Sequence, residues 1–283
     1  MHLGDVCLRL ASDGTYWEDG GGLFGLVPKT LWQAVWAPDE RNRLPFALRS
    51  LLIETPSYRI LVDTGYGDKL TARQRSFVSL VGDERLLCSL ATLGVRPNQI
   101  DMVINTHLHN DHCGGNTQIG AGGELQPAFP MATYYVQRME LADASFPNER
   151  TRSTYLQDNW SPLEKAGQLR ILSGDTRLTN EVRVIVTPGH TRAHQCVLVE
   201  SGGQTALFLG DVASWPIHIE RPAWVPAYDV DPMVSIETKR NLAHWAIEHN
   251  ALLIFEHHLE IAAGYLHPTE RVDRCRIEPV EFD

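Results

Sequence analysis

The run Thr106-His107-Leu108-His109-Asn110-Asp111-His112-Cys113-Gly114-Gly115 constrains this chain more than any other stretch. Three imidazoles and one carboxylate fall within six residues. Such nitrogen and oxygen donors are the usual ligands of Zn²⁺ and related divalent ions. Burying so many polar groups without a partner is costly, so packing alone does not account for the run. The preceding Met102-Val103-Ile104-Asn105 is apolar and partly β-branched, and reads as a short buried strand. The donors therefore sit where a strand gives way to a loop, a common position for chemistry carried on a rigid sheet.

The same arrangement recurs downstream. Val182–Val186 leads into Thr187-Pro188-Gly189-His190, Ala206–Leu209 into Gly210-Asp211, and Leu252–Phe255 into Glu256-His257-His258. Four predicted strands thus end in His107, His190, Asp211 and His257. Upstream, residues 3–10 alternate as an edge-like strand, and 47–54 and 58–63 are two more, joined by a turn at Thr55-Pro56-Ser57. Residues 16–25, rich in glycine and aromatics, read as a loop. Helices are predicted from an Asp83 cap to Leu93, in pieces across 137–170, and from a Ser235 cap to about His249. The pattern predicts an α/β fold, two sheets face to face with helices outside, in a single domain spanning 1–283.

Composition excludes some functions. A net charge of −10 disfavours a nucleic-acid binder, which needs a basic footprint. No apolar run approaches the length of a membrane span, and the first residues do not read as a secretory signal. The five cysteines are odd in number and show no paired spacing, so free thiols in a reducing cytoplasm are expected. Cys113, beside the donors, reads as a small residue filling a tight loop.

The segments LVDTGYGD (61–68), THLHNDHCGG (106–115), TPGHTRAHQ (187–195), FLGD (208–211) and IFEHH (254–258) resemble, in order, the successive motifs of the metallo-β-lactamase superfamily. The second of them matches its HxHxDH signature. The resemblance implies an αββα sandwich of two mixed sheets with a metal site at one edge. Carried over, His107, His109 and His190 would bind one divalent ion, and Asp111, His112 and His257 a second. Asp211 would bridge the two; a carboxylate has two oxygens and can span paired cations. His257 is preferred to His258 because the family ligand usually comes first after the strand. His194 falls where the family has no ligand, and Asp63 resembles the carboxylate that orients a ligand histidine. Zn²⁺ is the leading candidate, with Mn²⁺, Fe²⁺ and Co²⁺ admitted by the same donors.

The implied chemistry is hydrolysis by a hydroxide bridging the two ions, with Asp111 also relaying a proton. His109 stands where the oxygen-reducing di-iron branch carries Glu, and Asp211 where the zinc β-lactamases carry Cys or nothing. Chain length and the segment DGGGLFGLVPKTLW (19–32) resemble the N-acyl homoserine lactonase and methyl parathion hydrolase branch. Its lactonases place a Tyr three residues after the bridging Asp, where this chain has Ser214; Tyr66, Tyr228 or Tyr265 could substitute. The competing readings are a phosphotriesterase, a glyoxalase II-like thioesterase, and a metal-stabilised binding or sensor protein without turnover. Trp17, Phe24, Trp32, Trp215, Trp224 and Tyr228 lie in loop-like segments and are expected to wall a small-molecule pocket; otherwise they serve the core or a homodimer contact. Only Arg192 lies near a donor in sequence, so a neutral, partly apolar ester or lactone is expected rather than a charged phosphate.

Overall fold

The computed structural model describes residues 1–82, 85–271 and 273–282. Fourteen strands form two seven-stranded sheets. In order across the first sheet they are His2–Leu3, Val6–Asp19, Arg43–Glu54, Arg59–Val62, Met102–Ile104, Thr133–Gln137 and Leu169–Leu172. The second holds Thr176–Arg177, Val182–Val186, Gln195–Ser201, Gln204–Phe208, Leu252–Ile254, Ala263–Pro268 and Cys275–Val280. Both sheets are mixed. Arg59–Val62, Met102–Ile104 and Thr133–Gln137 pair in parallel, as do Gln204–Phe208 and Leu252–Ile254.

Side-chain alternation builds the layers. Leu51, Ile53, Ile60, Val62 and Ile104 of the first sheet meet Val184, Val197, Val199, Phe208 and Ile254 of the second. The residues between them face outward. Leu52, Leu61 and Val103 pack on Leu86 and Leu90 of the helix Leu86–Thr92. Leu198, Leu207 and Leu253 pack on Leu242 and Ala246 of the helix Pro232–Glu248. This is the expected αββα sandwich. Strands buried on both faces read as continuous apolar runs.

Strand direction places the site. Val182–Val186 and Gln204–Phe208 are both antiparallel to Gln195–Ser201, so they run the same way. Leu252–Ile254 runs with them, and the loops after these strands gather on one rim.

Two local expectations need correction. Tyr16–Asp19 is not loop: it completes the long strand Val6–Asp19, paired with Arg43–Phe46 beyond an irregularity between Ser12 and Thr15. Cross-strand pairing overrides the lack of local periodicity there. Gly20–Phe24 is a short helix capped by the Asp19 side chain. Ser235 does not cap the long helix. Asp231 does, its side chain accepting the Val234 N–H at 3.1 Å, and Pro232 takes the first position, where a missing N–H costs nothing. Asp83 lies outside the described residues. Among those described, no helix is long and apolar enough to cross a membrane.

Candidate metal centre

His107, His109, Asp111 and His112 occupy the turn and short helix Asn110–Cys113 that follow Met102–Ile104. The glycines after them answer a close approach: a Cβ on Gly115 would collide with the Thr64 carbonyl oxygen. His190 follows Val182–Val186, Asp211 lies in the single turn Gly210–Ala213, and His257 follows Leu252–Ile254.

The seven side chains converge in two groups. In the first, His109 Nδ1 lies 3.0 Å from His107 Nε2 and 3.1 Å from His190 Nε2. In the second, His112 Nε2 lies 3.2 Å from His257 Nε2 and 3.6 Å from Asp111 Oδ2. Asp211 faces both groups. Its Oδ2 is 3.3 Å from His190 Nε2 and from His112 Nε2, and its Oδ1 is 3.2 Å from His257 Nε2. Ligands about 2.0–2.1 Å from a tetrahedral ion stand roughly 3.3 Å apart. The donor set and its spacing therefore fit a pair of divalent ions.

The outer ring nitrogens are tied down. His107 Nδ1 meets Thr106 Oγ1 at 3.0 Å, His112 Nδ1 meets Asp63 Oδ2 at 3.1 Å, His190 Nδ1 meets Asp229 Oδ1 at 3.0 Å, and His257 Nδ1 donates to the Ala47 carbonyl at 2.8 Å. Such contacts fix ring orientation and turn the other nitrogen inward. Asp63, in the left-handed backbone region at φ 55°, also accepts from the Thr106 N–H and hydroxyl. Glu256 Oε2 lies 3.2 Å from the same His112 nitrogen, and burial pushes that carboxyl up to about 8. His194 accepts the Asp211 N–H at 3.1 Å and so supports the turn without joining either group. His258 points away, between Trp36 and Trp215, and accepts the Ile261 N–H at 2.9 Å.

Electrostatics divide the imidazoles: burial alone would lower His112, His190 and His257, but the carboxylates around them, Glu256, Asp111 and Asp211 beside His112 and Asp211 beside the other two, outweigh it and raise all three. Burial, then the neighbouring imidazoles, hold His107 and His109 well below the usual imidazole range, so their lone pairs are free. Burial alone would raise Asp211, but His257, His190 and His112 outweigh it and hold the carboxylate well below its usual range.

The cluster forms the floor of a cavity of about 420 Å³, through His109, Asp111, His190 and Asp211. Tyr16, Phe46, Tyr66 and Tyr228 stand in its walls. The contact of Tyr16 with Asp111 was not foreseen from sequence. The Tyr16 hydroxyl donates to Asp111 Oδ2 at 3.0 Å, and the pairing of Tyr16 with Phe46 across two strands brings it there. Ser214 donates to Asp211 Oδ1 at 2.8 Å. Tyr66 and Tyr228 line the cavity, whereas Tyr265 packs against the core between the sheets.

Of the six aromatics expected to wall the pocket, Tyr228 does so. Phe24, Trp32 and Trp215 are buried beside Phe46 in an aromatic core behind the wall, and Trp224 packs on Phe24. Trp17 lies against the Arg43 guanidinium, 5.6 Å from it. Arg192 pairs with Asp143 on the surface. The cation at the cavity rim is Arg150, which donates to the carbonyls of Ala227 and Asp229. No local signal in the sequence marks it, since its place depends on how two distant loops meet.

A family model described as the metallo-beta-lactamase superfamily matches residues 45–244, which hold all the donors but His257. An N-acyl homoserine lactonase from Bacillus cereus is 24% identical over 233 residues, 79% of this chain and 86% of that protein. A probable metal-dependent hydrolase from Staphylococcus aureus superposes with a TM-score of 0.87 at 30% identity, over 94% of both chains. AidC, a dizinc quorum-quenching lactonase solved with the product of its reaction, superposes at 0.80 with 20% identity, over 100% of this chain and 97% of its own. With the family matched over most of its length, the sandwich in place and the donors on its rim, the chain belongs to the metallo-β-lactamase superfamily of hydrolases.

Proposed function

We propose that the protein is a dinuclear metal-dependent hydrolase acting on a neutral, partly apolar lactone or ester. The observation that carries this reading is Asp211, one carboxylate facing two donor groups at the floor of an aromatic-walled cavity. His107, His109 and His190 would hold one ion, Asp111, His112 and His257 the other, and Asp211 would bridge them. Zn²⁺ suits four-coordinate imidazole and carboxylate sites of this kind. Two bound cations would supply hydroxide near neutral pH and draw charge from the acyl oxygen. The five unpaired cysteines support a reducing, cytoplasmic setting.

The chain's own groups orient and protonate. Burial, then Asp111, push the Tyr16 phenol well above its usual range, so it keeps its proton as a donor. It supplies from strand Val6–Asp19 the phenol that the family's lactonases carry three residues after the bridging Asp. Ser214, standing at that place, braces Asp211 instead. Burial, then Asp111, also push Glu18 up to about 7 in the cavity wall. Beyond the two ions, a multiply charged phosphate would meet a largely aromatic wall and one guanidinium, Arg150 at the rim. That arrangement favours a neutral substrate, and the lactonase relatives support a lactone.

The test compares kcat/KM of the metal-loaded protein for a medium-chain N-acyl homoserine lactone, an aryl ester, a thioester, a phosphotriester and a phosphomonoester. The lactone or aryl ester is expected to lead. A phosphomonoester preference would refute the cavity reading. A phosphotriester preference would keep the cavity and move the chemistry to phosphorus, and a thioester preference would favour the thioesterase. No turnover of any of them, with both ions bound, would leave a binding or sensor protein. Tyr16→Phe should lower kcat on the best substrate by at least about tenfold with KM little changed, approaching the ~10²-fold that follows loss of one preorganised donor. An unchanged kcat would remove Tyr16 from the chemistry.

A further inference from the structure

Glu140 is a fully buried side chain that the proposed chemistry does not use. It stands in the first turn of the helix Arg138–Ser145, directly after the strand Thr133–Gln137 of the first sheet. A carboxyl group so deep must find hydrogen-bond donors inside the protein. Glu140 finds three. Its Oε1 accepts the Leu108 N–H at 2.9 Å and the Tyr155 hydroxyl at 3.0 Å, and its Oε2 accepts the Thr191 hydroxyl at 2.6 Å. Each of these donors adjoins the first donor group. Leu108 is the residue between His107 and His109, so its backbone sets how far apart those two rings stand. Thr191 follows His190 directly. Tyr155 lays its ring against His109, with centroids 5.0 Å apart. Among the described residues, the Glu140 side chain makes no hydrogen bond to the segments 110–113 or 256–258, which carry Asp111, His112 and His257.

His107 and His109 leave the first sheet, and His190 leaves the second. Nothing in either sheet alone sets the distance between them, so a group that bonds to both loops is needed to hold it. We infer that Glu140 is a positioning residue for the metal centre: by accepting from Leu108, Tyr155 and Thr191 at once, it locks the three histidines of the first group at the spacing one ion requires. Glu140 hydrogen-bonds none of the seven donors and acts only through their neighbours. Sites stay within the narrow geometry a metal needs when such supporting residues fix the backbone behind them. The same helix carries a second link to the His190 loop, three residues on: Asp143 accepts from Arg192 Nε at 3.0 Å. That pair is exposed, and exposed pairs contribute little, so it serves as the internal control. The inference rests on the reading of His107, His109 and His190 as ligands of one ion.

The test measures the affinity of each zinc ion by chelator competition, and the visible absorption of the cobalt-substituted protein, for wild type, Glu140→Ala, Glu140→Gln, Thr191→Val, the Glu140→Ala/Thr191→Val pair and Asp143→Ala. Outer partners at metal sites typically account for about 10–100-fold in affinity. Glu140→Ala should weaken one ion by at least about tenfold, alter the cobalt bands and affect the other ion much less. Glu140→Gln keeps the volume and one acceptor oxygen, and should recover part of the loss. Thr191→Val should cost less than Glu140→Ala, and adding it to Glu140→Ala should cost little more, because the two share one hydrogen bond. Asp143→Ala should leave both ions and the bands as in wild type. Equal weakening of both ions in Glu140→Ala would overturn the inference, since it would report a general loosening of the fold. A loss in Asp143→Ala as large as in Glu140→Ala would also overturn it, because docking of the helix would then suffice. Should Glu140→Ala fail to fold, wild-type affinity and bands in both Glu140→Gln and Thr191→Val would be equally fatal. His190→Ala separates the premise from the inference. If it keeps both ions at wild-type affinity, the ligand reading falls; if it loses one while the Glu140 variants keep both, only the role of Glu140 falls.

Discussion

Asp211→Ala is expected to lower kcat/KM by at least ~10²-fold and to leave the protein with fewer than two tightly held ions. The geometry sets the expectation. Among the described residues, Asp211 is the one whose oxygens approach His190 on one side and His112 and His257 on the other. Outer partners of metal ligands already account for 10–100-fold, so a group shared by both sites should exceed that range. The turn that carries it is braced from two directions, by the Ser214 hydroxyl on Oδ1 and by His194 on the backbone N–H. Asp211→Ala therefore leaves the Ser214 hydroxyl without its acceptor and the imidazoles of His190, His112 and His257 without their anion. Asp211→Asn keeps the volume and one acceptor oxygen but not the charge. It should fall between Asp211→Ala and wild type in metal content, and close to Asp211→Ala in rate. Near-normal turnover with two ions in Asp211→Ala would remove the bridge from the mechanism.

The convergence of the seven side chains could be read from the sequence because each follows an apolar strand, and strand polarity is set by backbone pairing rather than by the site. Once Val182–Val186, Gln204–Phe208 and Leu252–Ile254 run the same way, the residues after them meet on one rim whatever their chemistry. The sandwich was legible for the same reason. What was not legible depends on register or on contacts between distant loops. Tyr16 reaches Asp111 because its strand continues past a glycine, paired to Arg43–Phe46, where local pattern suggested a loop. Arg150 reaches the cavity rim through the carbonyls of Ala227 and Asp229, and no spacing in the chain announces that contact.

The aromatics show the limit from the other side. Trp215 is four residues past Asp211, and sequence proximity suggested a pocket wall. Beyond the turn Gly210–Ala213, the Trp215 side chain enters the core against Phe46 and His258. The wall is built instead by Tyr16, Phe46 and Tyr66, which face the cavity from the first sheet and from the loop after Arg59–Val62. Nearness along the chain fixed where the backbone goes, and packing decided which way each ring turned.

Removal of metal should have the other large effect: exhaustive chelation is expected to abolish turnover, and reloading with Zn²⁺ to restore it at two ions per chain. The same treatment should lower the thermal midpoint. An ion present at a hundred times its Kd stabilises the folded state by about 2.7 kcal/mol. Two such ions, at roughly 2–4 °C per kcal/mol for a chain of this size, correspond to a shift on the order of ten degrees. The direction follows from the site itself, where buried His107, His109, His112, His190 and His257 crowd around Asp211, so that ions bound there would favour the folded chain, which alone brings these groups together. His257 and His258 provide the internal control. His257 Nε2 lies 3.2 Å from both His112 Nε2 and Asp211 Oδ1, whereas the His258 ring is held between Trp36 and Trp215. His257→Ala should therefore lose one ion by elemental analysis and most of the chelator-sensitive shift in midpoint. His258→Ala should keep both ions and lose stability only through its packing, a loss equal in the presence and absence of chelator. One ion or none in the reloaded wild type would end the dinuclear reading, and loss of an ion in His258→Ala but not in His257→Ala would exchange their roles.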